Sequence, residues 1–298
     1  MSSSIIDEGE YAGRSAGAAP FPSSPPTIRV LRPHRGWRGV DLGELWRNRA
    51  VVGFLVRRDL KVRYAQTTLG ALWVLLQALV PMLIFTIVFG ILAKLPSDGV
   101  PYMLFALTGL VTWTYFATAV LGATTSLITN SELVTKVYVP RLAIPLAPLL
   151  GALADLTIGL ALLGAFLVSF RVAPRAESVV LVPLLLVLLV TTAAGFGYWL
   201  SALTARFRDV KHVTPMLLQM MMYASPVVYP LSLIPARYRL AYALNPMVGV
   251  IEGLRAVLLR TPLVDGRIFA VSCAVSAVLL VSGVLFFRRT ERLFADIV

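Results

Sequence analysis

Cysteine is nearly missing from this chain: among 298 residues there is one, Cys273. A single thiol inside an apolar run excludes disulfides and cysteine-based metal sites. Histidine is almost as scarce, and His34 and His212 stand isolated. Acidic residues number 15 against 27 Lys and Arg, and all charged residues together make up only 14% of the chain. No G-x-x-x-x-G-K-[ST] phosphate loop, H-E-x-x-H pair, G-x-S-x-G elbow or other catalytic constellation is present. The chain therefore reads as a non-enzyme without a cofactor or metal of its own. Residues 1–28 are rich in Ser, Gly, Ala and Pro, and they lack the apolar core of about 7–15 residues that marks a signal peptide. No repeat of fixed period is visible, which speaks against the paired halves of an inverted-repeat transporter.

What the chain has is apolar length. Hydrophobic residues make up 58% of it. Uncharged stretches separate Arg63 from Lys94, Asp98 from Glu132, Glu177 from Arg206, His212 from Arg237 and Arg267 from Arg288, and the stretch from Arg141 to Arg171 is broken only by Asp155. About 20 apolar residues cross a hydrocarbon core of about 30 Å. In lipid, an α-helix is the only open structure that satisfies its own backbone. The expected fold is an all-α polytopic membrane protein with six transmembrane helices, over about 68–93, 102–128, 142–170, 178–204, 213–230 and 267–287.

Basic residues crowd one end of these runs. One side carries Arg47, Arg57, Arg58, Lys61 and Arg63, then Lys136 and Arg141, then Arg206, Arg208 and Lys211, then Arg288, Arg289 and Arg292. By the positive-inside rule, both termini are cytoplasmic. The formal charge of +12 then belongs to an anionic membrane surface and not to nucleic acid. Residues 1–40 read as a disordered cytoplasmic tail, 41–64 as an amphipathic interfacial helix, 65–290 as the transmembrane domain and 291–298 as a second cytoplasmic tail.

The connection 231–262 tests this topology. Counting 240–258 as a seventh span would move Arg288, Arg289 and Arg292 outside and place Glu252 and Arg255 in lipid, at about 2.5–3.5 kcal/mol per charge. Pro226, Pro230, Pro235, Pro246 and Pro262 cut the stretch into short pieces. It reads as two short re-entrant or surface helices on the outer side, between the fifth and sixth spans.

Several segments carry candidate functional residues. At 3.6 residues per turn, Leu42, Leu45, Val52, Val56 and Leu60 share one face of 41–64; Arg47, Arg57, Arg58 and Lys61 share the other, with Arg49, Phe54 and Arg63 as exceptions. The apolar face anchors the helix, and the basic face suits an anionic lipid headgroup or a cytosolic partner. The connector 129–141 has capping-box spacing at Thr129 and Glu132, an apolar stripe of Leu133, Val134, Val137 and Tyr138, and Pro140 at its end. Asp155 is the lone acid within a long span. A second acid or a His at matching depth is absent, so a structural hydrogen bond to a neighbouring helix outweighs a proton relay. Trp113, Tyr115 and Phe116 lie at mid-span, where aromatic belts do not belong; core packing and a lining for passing sugar rings both fit.

Three blocks together resemble a known family. The run LVRRDLKVRYAQTTLGALWVLLQALVPMLIFTIVFG (55–90), the run TGLVTWTYFATAVLGATTSLITNSELVTKVYVPRLAIPLAP (108–148) and the run SPVVYPLSLIPARYRLAYALNPMVGVIEGLRAVLLR (225–260) are similar to permease subunits of type-2 ABC exporters for lipid-linked polysaccharides. Exporters of O-antigen, capsule, teichoic acid and galactan are of this kind. Thr112 stands where Pro commonly precedes the Trp, and Val139 where Phe commonly precedes Pro140. The resemblance implies a homodimer in the bacterial plasma membrane that binds two copies of a separate ATP-binding subunit, where ATP and Mg are held. It implies a polyprenyl-pyrophosphate-linked glycan as substrate, with Trp113, Tyr115 and Phe116 near its path. It also implies that Glu132, Leu133, Lys136 and Tyr138 of the connector face the ATPase, and that Arg47, Arg57, Arg58 and Lys61 are available to the lipid pyrophosphate. An exporter of another lipid or of a drug, an ion-coupled carrier using Asp155, and a lipid glycosyltransferase using Asp209, Glu252 and Asp265 are the alternatives.

Overall fold

The computed structural model describes residues 42–64, 72–130 and 140–291. Every regular element among them is helical. Helices α1 (Leu42–Arg47) and α2 (Arg49–Tyr64) are separated by a turn at Asn48, so the single helix expected over 41–64 is two. Then come α3 (Leu72–Phe85), α4 (Tyr102–Thr129), α5 (Ala143–Ser169), α6 (Ser178–Arg206) and α7 (Val210–Tyr223). Two short helices, α8 (Ala236–Tyr242) and α9 (Met247–Leu258), precede α10 (Gly266–Thr290).

Five of these helices are long and apolar enough to cross a membrane: α3 with its extension to Leu92, α4, α5, α6 and α10. The expected fifth span over 213–230 takes a different form. Helix α7 stops at Tyr223 after 14 residues, about 21 Å at 1.5 Å per residue, and the chain then folds through turns at 224–229. In α3, Pro81 removes one ladder hydrogen bond, and the helix widens into a π-helical stretch at Thr86–Leu92.

Helix α4 is the central strut. Leu104, Phe105, Leu107, Phe116, Ala119, Val120 and Ala123 are all buried, and α3, α5, α6 and α9 pack around it. Helix α5 runs antiparallel to α4: Tyr115 reaches the Leu149 carbonyl, Gly122 lies against Pro148 and Val111 against Gly159. Helices α6 and α10 run parallel, with Thr192 beside Ser276 and Trp199 beside Ser282 and Phe286. Their approach is close because both faces are glycine: a Cβ on Gly283 would lie 2.6 Å from the Gly195 carbonyl oxygen.

Most buried threonines are satisfied within their own helices. Thr108, Thr112, Thr124, Thr204 and Thr214 each donate to the carbonyl four residues back, which removes the cost of a bare hydroxyl in apolar surroundings. The outer faces are apolar instead. Leu83, Ile84, Ile87 and Ile91 of the first long helix, and Val278, Val281 and Leu285 of α10, are exposed, as lipid contact requires.

Candidate functional site

Two polar clusters stand out in an otherwise apolar molecule, one along α2 and one at the start of α4. The first lies along the seam between α2 and α5. Val52 and Leu55 pack on Ala143 and Ala147, flanked by Val51, Val56, Leu146 and Leu150. Continuing the stripe of α2 by whole turns leads from Val52 through Val56 and Asp59 to Arg63. Arg63, the exception on the helical wheel, therefore points at α5, and it meets Asp155, the acid without an obvious partner. Its Nη1 donates to Asp155 Oδ2, and the neighbouring Tyr64 hydroxyl donates to Asp155 Oδ1. Burial, and then the hydrogen bond to Asp155, pushes the Tyr64 pKa up to about 12, so the phenol stays a donor at any physiological pH. Each carboxylate oxygen of Asp155 accepts one hydrogen bond, so the acid makes the structural bond to a neighbouring helix that its isolation in the sequence suggested.

The same helix touches the end of α4. Arg58 Nη2 donates to Asn130 Oδ1 and to Asp59 Oδ1, and Asn130 caps α4 through its side-chain and backbone bonds to the Ser126 carbonyl. Of the basic face expected to meet a lipid pyrophosphate, Arg58 is thus turned inward. Arg47, Arg57 and Lys61 remain exposed, and neither Arg57 nor Lys61 has an ion-pair or hydrogen-bond partner among the described residues. Glu132, Leu133, Lys136 and Tyr138 lie outside the described residues.

The second cluster closes the opposite end of the bundle. Helix α9 is buried along almost its whole length, with Gly253 against Leu185 of α6 and Gly249 against Ser272 of α10. Arg255 is fully buried. Its Nη1 donates to the Pro226 carbonyl (2.5 Å) and to Glu252 Oε1 (3.0 Å), and its Nη2 to the Val227 (2.7 Å) and Phe105 (3.1 Å) carbonyls. The guanidinium also stacks on the Phe105 ring, 3.4 Å from its centroid. Gly109 makes the room: a Cβ there would meet Arg255 Nη2 at 2.7 Å. Arg175, from the loop between α5 and α6, donates to the Ala256 and Thr261 carbonyls and caps the far end of α9. Tyr102 adds a bond to the Val228 carbonyl. Arg255 thus ties the turn after α7 to α4 and α9.

The mid-span aromatics expected along a substrate path are core residues instead. Trp113, Tyr115 and Phe116 are 5%, 1% and 0% exposed. Phe116 packs edge-on against Phe196 and beside Trp113, and the Tyr115 hydroxyl is spent on the Leu149 carbonyl. No ring face is left for a sugar. The sequence placed them correctly at mid-span, and there the neighbouring helices cover them. The acids of the glycosyltransferase alternative are also dispersed: Asp209 precedes α7 beside the end of α6, whereas Glu252 and Asp265 lie at the opposite end near the start of α10. No group of three or more His, Cys, Asp or Glu able to hold a metal occurs among the described residues.

An all-helical bundle with five membrane-length apolar helices among the described residues and two charged locks is a multi-pass membrane protein. The chain belongs to the ABC-2 type transporter family, whose model matches residues 51–259. It is 31% identical over 255 residues to the O-antigen export system permease protein RfbA of Myxococcus xanthus, covering 85% of this chain and 97% of that protein. The RfbA permease of Klebsiella pneumoniae is 25% identical over 82% of this chain and 93% of its own length. The polysialic acid transport protein KpsM of Escherichia coli is 23% identical over 82% and 94%.

Proposed function

We propose that this chain is the transmembrane subunit of an ATP-driven exporter that moves a polyprenyl-pyrophosphate-linked polysaccharide across the bacterial plasma membrane. The observation that carries this reading is the relation to an O-antigen export permease along 97% of that protein's length. A relation of that extent leaves little of the machinery unmatched. Energy comes from a separate subunit: the chain has no phosphate loop, and two copies of an ATP-binding partner, with ATP and Mg, act on a homodimer of it. The connector residues Glu132, Leu133, Lys136 and Tyr138 are the surface that the partner engages. The exposed cations Arg57 and Lys61, one turn apart, suit a diphosphate at the membrane surface.

The chain crosses the membrane six times, with both termini in the cytoplasm. Two observations support this count. Helices α6 and α10 run parallel, which favours one further crossing within 207–265; and the turn after α7 meets Tyr102 at the start of α4. Arg141 beside Glu291 places the start of α5 and the end of α10 on one side. In a Cys273→Ser background, cysteines at Arg208 and Arg289 should be labelled from the cytoplasmic side only, and one at Arg237 from outside only. Labelling of the Arg289 position from outside would remove the sixth crossing.

The functional test is reconstitution. The permease with its ATP-binding subunit should export a lipid-linked glycan only with ATP, whereas the purified permease alone should hydrolyse none. Tyr138→Asp should weaken binding of the ATPase while insertion is unchanged. ATP-dependent movement of a drug or simple lipid, with no movement of the glycan, would refute the substrate class.

A further inference from the structure

We propose that Arg63, Tyr64 and Asp155 form a coupling latch, the contact through which movement of the cytoplasmic connector reaches the third membrane-length helix. The proposal rests on the reading of the chain as an ATP-driven exporter. Helix α2 is held at two places of different character. Near its middle, Arg58 bonds Asn130, at the start of the connector 129–141. At its carboxyl end, Arg63 and Tyr64 both bond Asp155, which lies 12 residues into α5, about 18 Å along that helix. Ahead of both points, Val52 and Leu55 give the seam an apolar face on Ala143 and Ala147. A helix of 16 residues tethered in this way acts as a rod. A displacement at Asn130 is delivered at Asp155.

The chemistry of the far end fits a moving contact better than a static one. Ions taken out of water lose hydration that their attraction only partly returns, so a seam that merely has to hold is closed as well or better by apolar groups. This seam already uses Val, Leu and Ala elsewhere, yet at the level of Asp155 it places a guanidinium, a phenol and a carboxylate. The side chains are 29% exposed for Arg63 and 13% for Asp155, so the pair sits at the edge of the seam and not sealed in the core. An ion pair of that kind fixes one register of α2 on α5 while leaving little net energy to be overcome when it changes, the registry role for which such pairs are best suited.

The test uses the whole exporter, reconstituted with its ATP-binding subunit, and reads glycan exported per ATP hydrolysed, alongside assembly and thermal stability. Wild-type complex is the control for the functional reading: absence of ATP-dependent export there refutes that reading and not the latch. With wild type active, the apolar triple variant Arg63→Met, Tyr64→Phe, Asp155→Leu should assemble with unchanged or higher stability and retain ATP hydrolysis. Its export per ATP should fall at least tenfold. The charge exchange Arg63→Asp with Asp155→Arg, keeping Tyr64, should recover most of that loss. Wild-type export per ATP in the apolar variant would overturn the proposal, because the polar contact would then be replaceable. Failure of the apolar variant to assemble would overturn it as well, since the seam would need the ions to hold. An assembled charge-exchange variant no better than the apolar one would do the same.

Discussion

Replacing Arg255 by Met should be among the most damaging single changes in this protein. The guanidinium is fully buried and donates to Glu252 and to the carbonyls of Phe105, Pro226 and Val227. Met fills much of the volume but donates nothing. Glu252, 5% exposed, then keeps only the long 3.4 Å bond from the Leu231 amide, and two turn carbonyls lose their donors. Stranding one member of a buried ion pair costs about 3–5 kcal/mol, which is roughly two to four orders of magnitude in the folding equilibrium constant. The double variant Arg255→Met, Glu252→Leu still leaves the carbonyls bare but removes the stranded carboxylate. It should therefore be less destabilised than Arg255→Met alone, with a coupling energy outside the additive range of about 0.3–0.5 kcal/mol. Equilibrium unfolding by SDS in mixed micelles, followed by tryptophan fluorescence, measures all three proteins on one scale. A loss below about 1 kcal/mol for Arg255→Met, a value expected of exposed pairs, would refute the lock. So would a double variant worse than the single.

Because Trp113 and Phe116 are packed in the core, either change to Ala should cost about 3–5 kcal/mol and lower the yield of folded protein, while Trp113→Phe is tolerated; export lost at unchanged stability would return them to the substrate path. Gly283→Val should separate α6 from α10, since the added Cβ falls 2.6 Å from the Gly195 oxygen, at about 1–3 kcal/mol for overpacking. Gly164→Ala, with no atom within 4 Å of the new Cβ, is the matched control, and equal effects of the two in thermal unfolding would contradict the close approach.

Much was legible before any coordinates. Apolar run length and the scarcity of charge required a helical membrane protein, because lipid offers the backbone no hydrogen bonds. Helices α4, α5, α6 and α10 lie within a few residues of the runs that predict them, since each run is bounded by charges or by proline. The fifth run was read too literally: its apolar length is real, but Ser225 and Pro226 turn the chain inside the protein, where Arg255 supplies the hydrogen bonds that lipid cannot. Hydropathy counts the residues and does not see that shield.

The sequence by itself determined the class, the membrane-length helices and the few residues that break the apolar pattern: Arg63 on the wrong face of its helix, Asp155 alone in a span, and Glu252 and Arg255 in an apolar connection. Only the tertiary structure decided what those exceptions do. Arg63 and Asp155 are 92 positions apart, and Arg255 and Phe105 are 150 apart. Periodicity reports which face a residue occupies on its own helix and says nothing of which helix comes to meet it. A charge in an apolar run costs too much to stand alone, so each anomaly announces that a partner exists. Which partner it finds depends on helix direction, the glycine surfaces that set helix spacing and the turns that return the chain, and these are properties of the packed bundle.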